Sequence, residues 1–298
     1  MHKEHPQKLE PALYVVATPI GNLSDITLRA LEVLSTADVV AAEDKRNTSH
    51  LLSHHSISAH KLIAIHQHNE RSGAEKIVAM LQAGQSVAFV SDAGTPAVSD
   101  PGALLVQAVL EAGLRVIPIP GASAAIAALS ASGMVEPHFL FYGFLPNKSG
   151  ARRSVLRTLA AHPYTLVFYE APHRILECVA DLQAELGDER DIVFAREITK
   201  LFESIHGCKL GAALDWLNNN PNNQRGEFVL LISGSPLQIS GMDADTSRVL
   251  ATLLEELPLK QAVQIAVKIT GASRNELYQR ALQVKTGVND GNSPHADE

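Results

Sequence analysis

Several short clusters in this 298-residue chain carry side chains able to do chemistry. Glu43-Asp44-Lys45-Arg46 puts two carboxylates and two bases in consecutive positions after the apolar run Val39–Ala42. Ser91-Asp92-Ala93-Gly94-Thr95-Pro96 follows another such run, Val87–Val90. Further along come Glu170 and Arg174, then Arg196, Glu197 and Lys200, then Glu227. A carboxylate beside a reacting hydroxyl can accept its proton, and a Lys or Arg can hold a phosphate or stabilise an oxyanion. Any one of these residues could equally belong to a solvated ion pair. As a set at strand ends they are better explained as a substrate surface.

Two loops add ligand-binding character. Thr18-Pro19-Ile20-Gly21-Asn22 has one glycine where a dinucleotide fingerprint needs three, and no P-loop occurs, so NAD and FAD are disfavoured. Pro120-Gly121-Ala122-Ser123-Ala124 opens a helix of small residues, which admits either a flat ligand or close helix packing. Thirteen histidines are present, but His54-His55 and His66-Gln67-His68 lack the spacing of a metal site, so no metal is expected.

These loops must be held by a scaffold, and the first half predicts one. Leu13–Ala17, Val39–Ala42, Leu62–Ile65, Val87–Val90 and Val116–Ile119 read as buried strands alternating with amphipathic helices. One helix spans Glu70–Gln82 and stops at Gly84; another starts at Pro101 and ends at Gly113. That alternation predicts a parallel sheet covered on both faces, with ligands beyond the carboxyl ends of its strands. From Phe139 to Gly234 the strands Leu166–Tyr169, Ile192–Ala195, Ser204–His206 and Phe228–Ser233, with a helix over Arg174–Leu186, predict a mixed, more antiparallel domain. The expected domains are therefore 12–136 and 137–234, with a polar linker before a helical module over 246–285. In that module Ala262, Ile265, Ala266 and Ile269 form the expected buried stripe of a helix-turn-helix pattern.

The net charge of −7 excludes a uniformly basic RNA-coating protein but not a local basic surface. Thirty-three consecutive positions, 137–169, contain no acid and include Lys148, Arg152, Arg153 and Arg157, a candidate phosphate-binding run. Two cysteines, Cys178 and Cys208, cannot build a disulfide framework, which suits a reducing, cytoplasmic setting. The uncharged stretch 116–135 contains two prolines and two glycines, and reads as strand, turn and helix rather than a membrane span.

The segments Ala17–Leu23, Ala42–Arg46, Ser91–Pro96 and Pro120–Ser123, with Phe168–Arg174, Ala195-Arg196-Glu197 and Arg225-Gly226-Glu227, together resemble the tetrapyrrole methylase superfamily. Within it they are most similar to the RsmI branch, the 16S rRNA cytidine 2′-O-methyltransferases. The resemblance runs over about residues 12 to 285. It implies a two-domain α/β fold, S-adenosylmethionine in a cleft, a homodimer, and a decoding-region cytidine (position 1402 of 16S rRNA) as target. Carried over by position, Pro19, Ile20 and Gly21 resemble the family's first glycine loop, with Ala17 and Pro19 in place of two glycines. That departure disfavours a porphyrin or corrin substrate. Ser91, Asp92 and Ala93 resemble its G-D-P cofactor loop, Ser123 and Ala124 its small-residue cofactor contact, and Tyr169 and Glu227 its adenine side. The expected reaction groups are Glu43, Asp44, Arg46 and Glu170; the expected RNA contacts are Lys148, Arg152, Arg153, Arg174, Arg196, Lys200 and Arg274. A small-molecule methyltransferase of the same superfamily and a helix-turn-helix DNA-binding regulator with a ligand-sensing α/β part are the alternatives.

Overall fold

A computed structural model describes residues 8–66, 69–235 and 244–286. In the first half, apolar runs form β1 (Leu13–Val16), β2 (Val39–Ala42), β3 (Leu62–Ala64), β4 (Val87–Val90) and β5 (Val116–Ile119). Between them lie α1 (Leu28–Thr36), α2 (Lys45–His54), α3 (Glu70–Gln82) and α4 (Ala103–Glu111), and after β5 comes α5 (Ala124–Ala131). The strands pair in the order β3-β2-β4-β1-β5, every pair parallel. Alternation along each strand fills two cores. Tyr14, Val40, Ala88 and Val90 join α1 on one face, while Leu13, Val39, Val87 and Phe89 join α3 and α4 on the other.

This topology makes a crevice. The neighbouring strands β1 and β4 send their chains to opposite faces, one into α1 and the other into α4, so their exit loops diverge. The loops are still tied at their bases. Thr18 N–H donates to the Gly94 carbonyl at 2.8 Å, Gly94 N–H returns the bond at 3.1 Å, and the Thr18 hydroxyl reaches the Ser91 carbonyl at 3.3 Å.

The second sheet contains β6 (Phe139–Phe144), β7 (Thr165–Glu170), β8 (Asp191–Arg196), β9 (Ser204–Lys209) and β10 (Phe228–Ile232) in the order β6-β7-β10-β8-β9. Only β6 with β7 is parallel; the other pairs are antiparallel. The helices α6 (Ser149–Leu159), α7 (Ile175–Leu186) and α8 (Leu210–Asn219) belong to this half. Leu166, Phe168, Phe194 and Leu230 bury one face against them. The other face, through Val167, Val193 and Leu231, packs on Ala125 and Ala128 of α5. So the small residues after Ser123 serve close helix packing, and that contact joins both sheets in one compact unit ending at Ser235.

Two elements were not announced by the patterning. β6 is apolar throughout, half-exposed and bulged next to Gly143, so it lacks a period-2 signal. α8 begins at Leu210 directly after β9 ends at Lys209, with no loop residues to mark the break.

The second unit holds α9 (Ala244–Glu256), α10 (Leu259–Thr270) and α11 (Arg274–Thr286) around Leu250, Val263, Ala266, Leu277 and Ala281. α10 closes on Gly271 in the left-handed region (φ 71°), with its N–H on the Val267 carbonyl. The expected stripe is rotated, because α10 must face both neighbouring helices at once. Ala262, Val263 and Ala266 are buried, whereas Ile265 is at the surface and Ile269 is 62% exposed. The anticipated linker from Gly234 and tail from Thr286 fall mostly outside the described residues. Among the described residues no helix is long and apolar enough to cross a membrane.

Candidate active site

Two cavities open at the carboxyl ends of β1 and β4. The larger, about 490 Å³, is walled on one side by Ile20, Ala93, Gly94, Asp100, Ser123 and Ala124, and on the other by Phe144, Tyr169, Glu170, Lys200 and Glu227. The smaller, about 290 Å³, lies between Pro19–Gly21, Ser91–Ala93 and the start of α2 at Asn47 and His50. Ile20, Ala93, Lys200 and Glu227 line both and so form the partition.

The first-half carboxylates meet where β2 and β4 end. Asp92 N–H donates to Glu43 Oε2 at 3.3 Å, and Asp44 N–H donates to Asp92 Oδ1 at 3.0 Å. Asp44 also caps α2, accepting from the Arg46 N–H at 2.8 Å, and its carboxylate pairs with the Arg46 guanidinium at 2.8 Å. That partner holds Asp44 below the usual carboxylate range. Burial, with Asp92 and Asp44 nearby, pushes Glu43 up. Arg46 is 91% exposed and carries its charge at the surface.

Lys200 is gripped by Glu197 at 2.9 Å and Glu227 at 2.8 Å, and its stem lies where a side chain at Gly21 would be. This pair of carboxylates raises the Lys200 pKa despite burial. The loop that presents it takes left-handed φ at Glu197 (52°) and Thr199 (66°). Gly226 permits that approach, since any side chain there would strike Glu197. Tyr169 accepts from the Ala125 N–H at 3.3 Å, burial pushes its phenol up, and Phe141 and Phe144 stand edge-on to its ring. Arg196 bonds the Ser204 hydroxyl at 3.0 Å.

Three expectations change with the side chains in view. Arg152 is not on an RNA-facing surface: it is 0% exposed and its Nε donates to Asp181 at 2.7 Å, because α6 packs face to face on α7. Arg174 is also turned inward, onto Asn147, the Leu145 carbonyl at 2.7 Å and Glu170 at 3.1 Å. Glu170 borders the larger cavity, but one oxygen accepts the Ala171 N–H at 2.8 Å and both face Arg174, which makes it a holder of that arginine rather than a reaction group. Arg153 remains at the surface while bound to Glu185 at 2.5 Å. Lys148 is exposed at the start of α6, and Arg274 is exposed in the separate helical unit.

Sequence reasoning named Gly94 only as part of its loop and missed Phe144 and Asp100 as cavity residues. Asp100 had a signal, since Ser99-Asp100 repeats the Ser91-Asp92 pair; the helix expected from Pro101 begins at Ala103, with Gly102 as its cap. Of the paired histidines, His68 lies outside the described residues. Among the described residues no three His, Cys, Asp or Glu side chains converge to hold a metal ion.

The model of the tetrapyrrole (corrin/porphyrin) methylases matches residues 12–214. The solved methyltransferase CobJ superposes with a TM-score of 0.57 at 21% identity, covering 77% of this chain and 97% of CobJ. A uroporphyrin-III C-methyltransferase from Thermus thermophilus, complexed with S-adenosylhomocysteine, gives a TM-score of 0.54 at 20% identity, over 74% of this chain and 97% of that one. The chain belongs to the tetrapyrrole methylase family, and it is a methyltransferase whose donor is S-adenosylmethionine.

Its similarity is sharper toward one named group. Ribosomal RNA small subunit methyltransferase I of Escherichia coli O157:H7 is 51% identical over 91% of this chain and 94% of that protein. The protein of the same name from Pseudomonas aeruginosa is 50% identical, over 91% and 96%. The model of the RsmI C-terminal HTH domain matches residues 240–285. The larger cavity fits the donor chemically. It offers aromatic and aliphatic faces at Phe144, Tyr169 and Val229 for a purine, the glycine backbone of Gly94, and carboxylates for a cation.

Proposed function

We propose that this protein methylates small-subunit rRNA, transferring the methyl group to the ribose 2′-hydroxyl of a decoding-region cytidine. The observation that carries the rRNA substrate is the identity of about half over nearly the full length of relatives named for small-subunit rRNA methylation; the ribose and the cytidine rest on the resemblance of the strand-end loops. When bound, S-adenosylmethionine supplies an electrophilic methyl group for in-line attack by the hydroxyl oxygen.

In this reading Ile20, Ala93, Ser123, Ala124, Tyr169 and Glu227 hold the donor in the larger cavity, while Pro19, Gly21, Ser91 and Asp92, expected at the donor, line the smaller one. The acceptor ribose enters the smaller cavity, which suits a nucleotide splayed from a single strand. Glu43, Asp44 and Arg46 line neither cavity and adjoin the smaller one through Asp92, which does; of the two carboxylates Glu43 is the better proton acceptor. Its raised pKa brings it nearer neutrality, whereas Asp44 is held down by Arg46. Lys200 stands at the partition to meet a phosphate or the developing oxyanion. Arg46, Lys148, Arg153, Arg196 and Arg274 supply salt-dependent backbone contacts that read no sequence. The protein acts as a cytoplasmic homodimer, which light scattering at twice the chain mass would support.

The test is incubation with methyl-labelled donor and small ribosomal subunits, followed by mapping of the label. One labelled cytidine ribose supports the reading; label on a base, on a porphyrinoid or on nothing overturns it. With Glu43→Gln, kcat should fall about 100-fold, the size of a lost general base. Asp44→Asn should fall less, because its carboxylate is the weaker base.

A further inference from the structure

The backbone from Gly94 to Gly102 is unusual. Gly94, Ala97, Ser99 and Gly102 all have positive φ, at 77°, 66°, 62° and 127°. For Ala and Ser this conformation is unfavourable and persists only where the surroundings impose it. They impose it here from three sides. Glu70, buried in α3, accepts the N–H groups of Gly102 and Leu104 at 2.9 Å and of Leu105 at 3.3 Å. Phe89 of β4 fills the place of a side chain at Gly102. Ser99 fills that place at Gly143, beside the bulge of β6.

The residue this strained segment presents is Asp100. Its half-buried carboxyl lies in the wall of the larger cavity, near Ser91, and none of the described ion pairs includes it. The charged groups around it do not compensate it. Glu43 and Asp92 are acidic, Lys200 is engaged by Glu197 and Glu227, and Glu170 is engaged by Arg174. Tyr169 and His173 are the remaining titratable groups of that cavity.

We propose that Asp100 is the counter-charge for the sulfonium donor, binding it in the larger cavity and favouring it over the neutral thioether left after methyl loss. The inference rests on the reading of that cavity as the donor's. Asp100 lines the larger cavity and not the smaller one, so it is placed for the donor rather than for the acceptor's proton. Methyl transfer removes one positive charge from the bound molecule, and the attraction that held the donor no longer holds the product. Burial and the Glu43 charge push Asp100 up to about 6, so a proton displaces the donor's cation in mildly acidic solution.

Titration calorimetry on the full chain without RNA tests this, using S-adenosylmethionine and S-adenosylhomocysteine between about pH 8 and pH 5. Donor affinity of the unaltered protein should fall about tenfold from pH 7 to pH 5, as one proton competes. Asp100→Asn should weaken the donor about tenfold at pH 8, weaken the thioether less, and flatten the pH dependence in this range. Asp100→Glu should retain part of the donor affinity. Equal weakening of both ligands by Asp100→Asn, or donor binding independent of pH in the unaltered protein, overturns the proposal. The second measurement needs no variant, so it decides even if a variant misfolds. Because RNA is absent, failure here leaves the rRNA reading separately testable by the labelling experiment.

Discussion

The two halves of the α/β unit use charge in opposite ways. In the second half, Arg152 with Asp181, Glu170 with Arg174, and Arg153 and Arg157 with Glu185 are closed pairs joining neighbouring elements. At the strand ends of the first half Asp44 pairs with Arg46, but none of the described ion pairs includes Glu43, Asp92 or Asp100, which gather beside hydrogen bonds to neighbouring backbone. Compensated charge can be buried and contributes to the scaffold, while an uncompensated acid in a cavity wall, as Asp100 is, must find its cation elsewhere. Density of charged residues in the sequence therefore marked both regions alike, and only the pairing separates frame from site.

That contrast can be broken from either side. Arg152→Ala leaves Asp181 without its buried partner and should cost about 3–5 kcal/mol in urea unfolding. Replacing both residues by apolar ones of similar size should restore much of that loss. If the single variant is as stable as the unaltered protein, the second-half pairs are not structural.

Glu70→Gln attacks the frame of the first-half loops. It weakens the acceptor of three backbone N–H groups and should cost about 1–3 kcal/mol. Its distinguishing readout is donor affinity, which should drop with the loop although Glu70 touches neither cavity.

The smallest effect has the opposite sign. The folded-state pKa of Asp100 lies above its ordinary value, so folding is penalised once pH rises through about 6, and the penalty vanishes below about 4. Asp100→Asn should therefore melt about 2 °C higher than the unaltered protein at pH 8, with no difference near pH 3. A lower Tm at pH 8 would mean that Asp100 supports the loop rather than straining it.

Much of the frame was legible because its signals are local. Val39–Ala42 and Val87–Val90 are apolar runs between turn signals, and both are strands over those residues. Glu70–Gln82 carries a helical stripe and meets a glycine at position 84, with φ of 82°, where the helix has ended. The stripe of α10 was less legible, because Ile265 and Ile269 have the right spacing for a core and only the positions of α9 and α11 select Val263 instead.

Thus the sequence by itself determined the alternating strands and helices, the glycine stops, and the loops at strand ends where chemistry would gather. Those features depend on residues within a few positions of one another. Tertiary structure alone decided that Arg152 is buried, since its partner Asp181 lies 29 residues away, whereas Arg46 pairs locally with Asp44 two positions before it. It likewise decided that Asp100 enters a cavity, because the groups pinning its loop come from α3, β4 and β6. Burial, and charge compensation between distant residues, are properties of side chains brought together by the fold, and no local pattern encodes them.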